Sequence, residues 1–515
     1  MCGIFCMINY SENNGTKTHD NYSECEECTR KLSHRGPDGI KSEAVHYINN
    51  QHPYNLFMGF TRLAINDLTD EGMQPFSMST SQGAKYVVCN GEIYNHEFLN
   101  ELFGRMSESD CGVLLNLFDK LPFNIALRYL DAEFALVYFD GNTVYAARDR
   151  YGVRPLFIGT INDEQNPSKS ICISSEMKAI PSRFNNVFQL NPTTFMSYKN
   201  GDISFHEYYI RLTLDSVTPN TKNMRKILES AVRKRLMSDR PLGFLLSGGL
   251  DSSLIVYIAS KMMDPDQMIC FTIGTEDSPD IKAAKELTTF LNIKNHHILK
   301  FDIEEGIREI PNVIRTIESY DITTIRASVP QYLLGRYIKE NTDVRVILSG
   351  EGSDEIHGSY KYFEKAPSKE AFREECARLL SELCYFDNLR TDRTMAAWGL
   401  EVRCPFLDHQ YVNYIFTSDA DKYMFYGIEK GLLRSAFNND IPYNLLYRKK
   451  DAFSDSVSSD KENWRQSIIS KVSNEQQYYE QLFDEIYPNR LTVIPHLWMP
   501  KWYENITDPS ATILV

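Results

Sequence analysis

Three absences bound what this 515-residue chain can be. The first is any membrane or export signal. No apolar run approaches the ~20 residues of a spanning helix, and Met1-Cys2-Gly3-Ile4-Phe5 lacks the basic-then-apolar layout of a signal peptide. The cytoplasm is the expected compartment. The second is an excess of basic charge. The 55 Lys and Arg stand against 69 Asp and Glu, a formal net charge of −14. Such a chain gains no general attraction to nucleic acid or an anionic membrane, and neither is an expected partner. The third is paired cysteine. Eleven cysteines, odd in number and irregular in spacing, read as free thiols of a reducing compartment. The Cys-x-x-Cys at Cys25-Glu26-Glu27-Cys28 has no second ligand pair at zinc-site spacing, and its glutamates disfavour a reactive thiolate.

The remaining composition, 42% hydrophobic and 24% charged, is that of a globular protein. The length predicts two or more domains. Near the middle stands Leu245-Leu246-Ser247-Gly248-Gly249-Leu250-Asp251-Ser252-Ser253. An apolar run from Leu242 to Leu246 precedes it and a helical pattern from Leu254 to Met263 comes after it, so it reads as strand, tight loop and helix start. Two glycines allow a sharp turn with uncovered N–H groups. The serine hydroxyls and the helix N-terminus add donors and partial positive charge. This is a seat for pyrophosphate. Asp251 would repel a bare phosphate and so implies a bridging Mg²⁺. The Walker pattern is absent at this loop. The run resembles the pyrophosphate loop of ATP pyrophosphatases, which adenylate a substrate and release pyrophosphate.

In the first half the most informative residue is Cys2. Removal of Met1 would give it a free α-amine, placing a nucleophile and a base of near-neutral pKa in one residue. Further on, a strand from Lys85 to Cys89 ends in Asn90-Gly91-Glu92-Ile93-Tyr94-Asn95. Asn90 and Gly91 could supply an amide and a bare N–H to an oxyanion, or form an Asn-Gly hairpin turn. Asp110 opens a helix, Val113 to Phe118, as its N-cap or as the partner of an α-ammonium group. Strands over Glu133–Phe139 and Thr143–Ala147 flank the turn Asp140-Gly141-Asn142.

Cys2-Gly3-Ile4, His34-Arg35-Gly36-Pro37-Asp38, Arg62-Leu63-Ala64-Ile65, Asn90 to Asn95 and Asp149-Arg150-Tyr151-Gly152-Val153-Arg154-Pro155-Leu156 together resemble a class II, N-terminal-nucleophile glutamine amidotransferase, in order as well as in wording. The resemblance implies that Cys2 attacks the glutamine amide, with its own amine as base, and that ammonia leaves. It places Asn90 and Gly91 at the oxyanion, Arg62 on the glutamine carboxylate and Asp110 on its α-amine. Leu63, Ala64, Ile65, Asn66 and Glu92 line the pocket. The implied fold is an αββα four-layer Ntn-hydrolase-like domain over residues 1–210.

The pattern loosens between Phe205 and Asn223, and the domain boundary is placed there. Beyond it strand and helix alternate: strand Leu242–Leu246, strand Met268–Ile273, helix Ile281–Leu291, strand His296–Leu299 and strand Val344–Leu348. That alternation predicts a parallel sheet under helices, with ligands beyond the strand ends. Three such ends carry Ser247–Ser253, Ile273-Gly274 and Ser349-Gly350-Glu351-Gly352-Ser353-Asp354-Glu355. Asp251 and Asp354 can share Mg²⁺. Lys450, in Tyr447-Arg448-Lys449-Lys450, can stabilise phosphate charge at adenylation; Arg448 and Lys449 read as surface charge.

Gly274 through Ala284, Glu318-Ser319-Tyr320-Asp321-Ile322-Thr323-Thr324-Ile325-Arg326-Ala327-Ser328, Ser349 to Glu355 and Ala397 to Asp408 resemble the synthetase domain of the glutamine-hydrolysing asparagine synthetase family. This half, residues 211–515, is then a parallel-sheet ATP-pyrophosphatase domain. The family makes β-aspartyl-AMP from L-aspartate and MgATP, and ammonia channelled from L-glutamine displaces AMP. By position, Leu246, Ile273, Ser349 and Gly350 contact the nucleotide, and Ser247, Gly249, Asp251 and Ser252 hold pyrophosphate. Glu351 assists ammonia's attack. Thr323, Thr324 and Arg326 shape the aspartate site and channel. A homodimer is implied. The resemblance runs to about residue 456, and the residues from about Val457 onward read as a variable, partly helical tail. Three departures stand out: Gly112 where the family is usually acidic, Ser359 in place of a glycine, and Asn191-Pro192-Thr193 where it has Pro-Gly. Two other readings stay open. One is an amide-forming enzyme resembling β-lactam synthetase, which typically lacks the cysteine. The other is a regulatory protein without catalysis.

Overall fold

The computed structural model describes residues 1–10, 18–49, 52–81, 83–162, 169–209, 218–418, 428–448, 457–458, 463–472, 474–503 and 509. The chain divides into two compact units. One is Met1–Ile210 with Ala396–Gly399 and Tyr487–Val493; the other is Arg211–Met395 with Leu400–Ile486 and Ile494–Val515. No helix among the described residues is long and apolar enough to cross a membrane.

The first unit contains two six-stranded antiparallel sheets. One holds β1 (Gly3–Tyr10), β2 (Gly39–Asn49), β3 (His52–Arg62), β8 (Phe157–Thr160), β9 (Ile171–Ser174) and β10 (Asn186–Gln189), in the order β10-β8-β9-β1-β3-β2. The other holds β4 (Phe76–Thr80), β5 (Gly83–Ile93), β6 (Ala132–Phe139), β7 (Val144–Arg148), β11 (Thr194–Lys199) and β12 (Asp202–Glu207), in the order β12-β11-β7-β6-β5-β4. Alternation along each strand divides the core into layers. Ile4, Cys6 and Ile8 of β1 pack with Met58 and Phe60 of β3, Val88 of β5, and Ala135 and Val137 of β6 in the layer between the sheets. Val87 and Cys89 of β5 point the other way, into a cluster with Leu114, Leu117 and Phe118 of a helix at Leu114–Lys120 and Ala126 and Leu127 of one at Phe123–Tyr129. The helix Thr18–Arg30 covers the outer face of the first sheet, where Tyr22 sets its ring edge-on to Phe57. This is the αββα layering expected.

The second unit is built on a five-stranded sheet, all parallel: β13 (Leu242–Leu245), β14 (Ile269–Gly274), β15 (Asn295–Lys300), β16 (Val346–Leu348) and β17 (Glu401–Arg403). Its order is β15-β14-β13-β16-β17. The chain runs outward from β13 in one direction and then from β16 in the other. The switch point therefore lies between these two neighbours, where open parallel sheets bind ligands. The Ser247–Gly249 loop leaves β13 and the Ser349–Gly352 loop leaves β16, side by side.

The departures have local reasons. A Cβ at Gly112 would come within 2.7 Å of Ser107 Oγ and carbonyl O, so no side chain fits against that loop. Thr193 sits at φ 66°, in the left-handed region a glycine takes without strain. A β-branched residue there is strained by about 1–2 kcal/mol. Thr193→Gly is expected to stabilise the first unit by about 0.5–1 kcal/mol after the added chain entropy of glycine. Thermal unfolding would show it as a rise of ~2 °C; an unchanged or lower midpoint refutes the assignment of strain.

Candidate functional site

Cys2 precedes β1, and its thiol lies against the backbone that leaves β3. Its Sγ accepts from Leu63 N–H at 3.4 Å and faces Leu63 O at 3.7 Å. Its carbonyl accepts from Arg35 Nε at 2.9 Å, and Arg35 is itself tied to Glu176 at 2.7 Å. Arg62 ends β3 with its guanidinium bonded to the carbonyls of Asp67 and Thr69, which holds it rigid and buried. Leu63, Ala64 and Ile65 are buried behind it; Asn66 reaches Glu92 through its side-chain amide. Asp110 accepts from Ile93 N–H at 2.7 Å and is buried. The cap position of its 3₁₀ turn belongs to Ser109, so Asp110 is not the N-cap.

Asn90 and Gly91 lie inside β5, opposite Ala135 and Phe134 of β6, rather than in a hairpin turn. The turn reading fails because β5 runs on through them to Ile93. Asn90 lies two residues from Val88 and so shares its face, toward the layer between the sheets against which Cys2 also packs. It is 0% exposed, yet neither atom of its side-chain amide has a partner among the described residues. Buried amides are almost always bonded, and an unpartnered one suits a donor reserved for a ligand. A Cβ at Gly91 would stand 2.1 Å from Glu133 O, which leaves only glycine. The word at Asp149 proves to be a closed turn: its carboxylate accepts from the N–H groups of Tyr151, Val153 and Arg154 at 2.9–3.0 Å. Cys25 and Cys28 are buried free thiols, and burial pushes Cys28 up to about 11, as expected of inert cysteine.

In the second unit one cavity of about 260 Å³ gathers the other candidates: Leu246, Ser247, Gly249, Asp251, Ser252, Ile273, Thr323, Thr324, Arg326, Ser349, Gly350, Glu351 and Asp354 all line it. Gly248 takes φ +75°, and a Cβ there would collide with Asp280 O and Ala284 N at 2.8 Å. The helix Leu250–Ala259 starts at Gly249 with no side-chain cap, leaving first-turn N–H groups for an anion. Ser247 Oγ and Ser252 Oγ are 3.1 Å apart. Leu246 and Ile273 give the cavity an apolar end.

Asp251 Oδ2 and Asp354 Oδ1 converge on one cation, the ammonium of Lys430, at 2.6 and 2.5 Å. Burial opposes the charge on Lys430, but the two carboxylates outweigh it and raise its pKa. Ser353 Oγ donates to Asp251 at 2.7 Å, and Ser359 Oγ donates to Asp354 at 2.6 Å. The serine that departs from the family pattern thus bonds a proposed metal ligand. Glu351 pairs with Arg390 at 2.9 Å, and Arg390 also bonds Asp387 at 2.7 Å and Gln331. Burial raises the Glu351 pKa above the usual carboxylate value, with Arg390 opposing.

Arg448 is not surface charge. Its guanidinium donates to Gly248 O at 3.0 Å and Asp280 Oδ1 at 2.7 Å, clasping the loop after β13. Lys450 lies outside the described residues. Lys430, Arg390 and Trp498, all lining the cavity, carry no local sequence signal; a buried lysine 179 residues from Asp251 has no spacing to betray it. The segment after Val457 is partly helical, as expected, with helices at Trp464–Lys471 and Glu475–Ile486, and it is packed. Trp464, Ile468, Tyr479 and Phe483 are fully buried.

Two family models match the chain: a glutamine amidotransferase domain over residues 1–210, and asparagine synthase over residues 223–373 and 364–510. The "Probable asparagine synthetase [glutamine-hydrolyzing]" of Acanthamoeba polyphaga mimivirus is 45% identical, across 100% of both chains. The asparagine synthetases [glutamine-hydrolyzing] of Cricetulus griseus and Homo sapiens are each 38% identical over 94% of this chain and 94% of their own. With both halves matched and relatives aligned almost end to end, this chain belongs to the glutamine-hydrolysing asparagine synthetase family.

Proposed function

We propose that the chain makes L-asparagine in the cytoplasm from L-aspartate, ATP and ammonia drawn from L-glutamine, and that it does so as a homodimer. The observation that carries the reading is the cavity at the sheet's switch point, where a phosphate-type loop meets a carboxylate held by an arginine.

In the glutaminase step the Cys2 thiol adds to the side-chain carbonyl carbon of glutamine, and its α-amine, once Met1 is gone, takes the thiol proton. Asn90 and Gly91 stabilise the oxyanion. The carbon–nitrogen bond breaks, the proton passes to the departing ammonia, and water then hydrolyses the thioester to glutamate. Arg62 and Asp110 hold the two charged ends of the substrate.

In the synthetase step a side-chain carboxylate oxygen of aspartate attacks the α-phosphorus, and the bond to pyrophosphate breaks. Ser247, Gly249 and Ser252, with the helix N-terminus, hold the leaving pyrophosphate. Lys450 counters charge on the phosphate. The convergence of Asp251 and Asp354 on a cation fits them to hold Mg²⁺. When bound, Mg²⁺ would neutralise phosphate charge. Ammonia then attacks the acyl carbon, Glu351 accepts its proton, and AMP leaves. Arg390 keeps Glu351 in place.

Product analysis tests the whole. Met1-processed protein given glutamine, aspartate and MgATP should form asparagine, AMP and glutamate in step, and Cys2→Ala should make asparagine only from added ammonia. AMP and glutamate without asparagine would name a different acceptor; no turnover would promote the regulatory reading. Asn90→Ala should lower glutamine-dependent kcat by about 10²–10³-fold, the usual cost of one oxyanion donor, while leaving the ammonia-dependent rate intact. A small loss would remove Asn90 from the oxyanion site. For Glu351 the sign comes from burial. A base of raised pKa loses activity on acidification at a higher pH than an ordinary glutamate would. Arg390 opposes the rise, so Arg390→Met should move the acid limb of the ammonia-dependent profile to higher pH still. A limb that stays or moves down would show that Glu351 is not the group titrating.

A further inference from the structure

The segment after Val457 reaches the synthetase cavity at three separate points. Glu475 clamps Arg326 with both carboxylate oxygens, to Nε at 3.0 Å and Nη2 at 2.5 Å, and takes a further bond from Tyr479 at 2.8 Å. His496 stands edge-on to Phe386, which lines the cavity, with ring centroids 5.7 Å apart. Trp498 forms part of the wall itself and is 7% exposed.

Trp498 is held from both its backbone and its ring. Its N–H donates to Asp321 Oδ2 at 2.7 Å. The other oxygen of Asp321 accepts from the hydroxyls of Thr323 and Thr324, at 2.6 and 2.7 Å, and from Thr324 N–H at 2.8 Å. One buried carboxylate thus ties Trp498 to the helix start that presents Thr323, Thr324 and Arg326 to the cavity. The indole packs edge-on against Tyr360, 6.0 Å between centroids at 73°, and against Tyr362, 6.2 Å at 71°. Tyr360 in turn donates its hydroxyl to Glu355.

The chemistry places a demand on this wall. An acyl-adenylate is a mixed anhydride, open to attack by water. Water's oxygen would bond to the acyl carbon, the bond from that carbon to the phosphate oxygen would break, and aspartate and AMP would leave, with the proton passing to solvent. ATP would be consumed with no amide formed. Ammonia prevails only where water is kept from the acyl carbon. The cavity lining mixes polar groups suited to phosphate and carboxylate with apolar ones, and the Trp498–Tyr360 pair adds a broad aromatic surface.

We propose that Trp498 is the water-excluding wall of the acyl-adenylate pocket, and that Asp321 and the Glu475–Arg326 clamp hold the C-terminal segment so as to present it. Its role is positional and protective, and it rests on the synthetase reading above.

The test uses full-length protein with ammonia as nitrogen donor, so that glutamine chemistry does not enter. The readout is asparagine formed per pyrophosphate released, with thermal unfolding measured alongside. The unmodified chain should give a ratio near one. Trp498→Ala should lower the ratio several-fold, and raising the ammonia concentration should recover part of it, because ammonia and water compete for one carbon. Trp498→Phe should hold the ratio close to that of the unmodified chain. A slower Trp498→Ala protein with an unchanged ratio would overturn the proposal, whatever its melting temperature. Should Trp498→Ala not fold, Trp498→Leu, narrower but still apolar, should give an intermediate ratio, and an unchanged ratio there overturns it equally. No asparagine from the unmodified chain would defeat the synthetase reading itself, a failure distinct from a coupled parent with a coupled variant.

Discussion

A buried ammonium balanced by two half-buried carboxylates organises the synthetase half. Lys430 has 2% of its side chain exposed and meets Asp251 and Asp354, which stand in the first turns of the helices that follow two different strands. Without the lysine, two carboxylates would face each other in a partly dry cleft, a costly arrangement. With it, the loop after β13 and the loop after β16 are fixed at the switch point. Gly350 allows the close approach: a Cβ there would already touch Asp251 Cβ and Ser252 N at 3.0 Å. Arg448 fixes the same loop from its other side through Gly248 and Asp280. The geometry offered to a nucleotide is therefore set by charge pairs that exist before it binds.

The same pairing recurs at other charges among the described residues. Glu351 meets Arg390, Arg326 meets Glu475, Arg35 meets Glu176 and Arg154 meets Glu133. Each pair keeps a functional or near-functional group in one orientation, which is how preorganised sites reduce reorganisation during a reaction. Asn90 is the contrast. Its amide is buried and unpaired among the described residues, and that unmet hydrogen-bonding capacity suits the oxyanion role proposed for it.

The departures from the family pattern become intelligible as neighbours rather than as words. Gly112 lies under the Ser107 backbone, Ser359 bonds Asp354, and Thr193 accepts a left-handed backbone at some cost. None displaces a group assigned to chemistry.

What the sequence determined by itself was everything carried by contiguous residues. The strand–loop–helix at Ser247–Ser253, the alternation that demands a parallel sheet, and the word at Cys2 all express short-range physics: periodicity, glycine turns and helix ends. Even there, Asn90-Gly91 could be a turn or a strand, because an Asn-Gly pair satisfies both until β6 pairs with it. The tertiary structure alone decided which distant side chains complete the site. Lys430 meets a carboxylate 179 residues away, Arg448 clasps a loop 200 residues back, and Trp498 docks on Asp321 across 177 residues. Such contacts obey no period and leave no local mark. They arise because buried charges and buried backbone groups must find partners, and the folded chain brings those partners within reach.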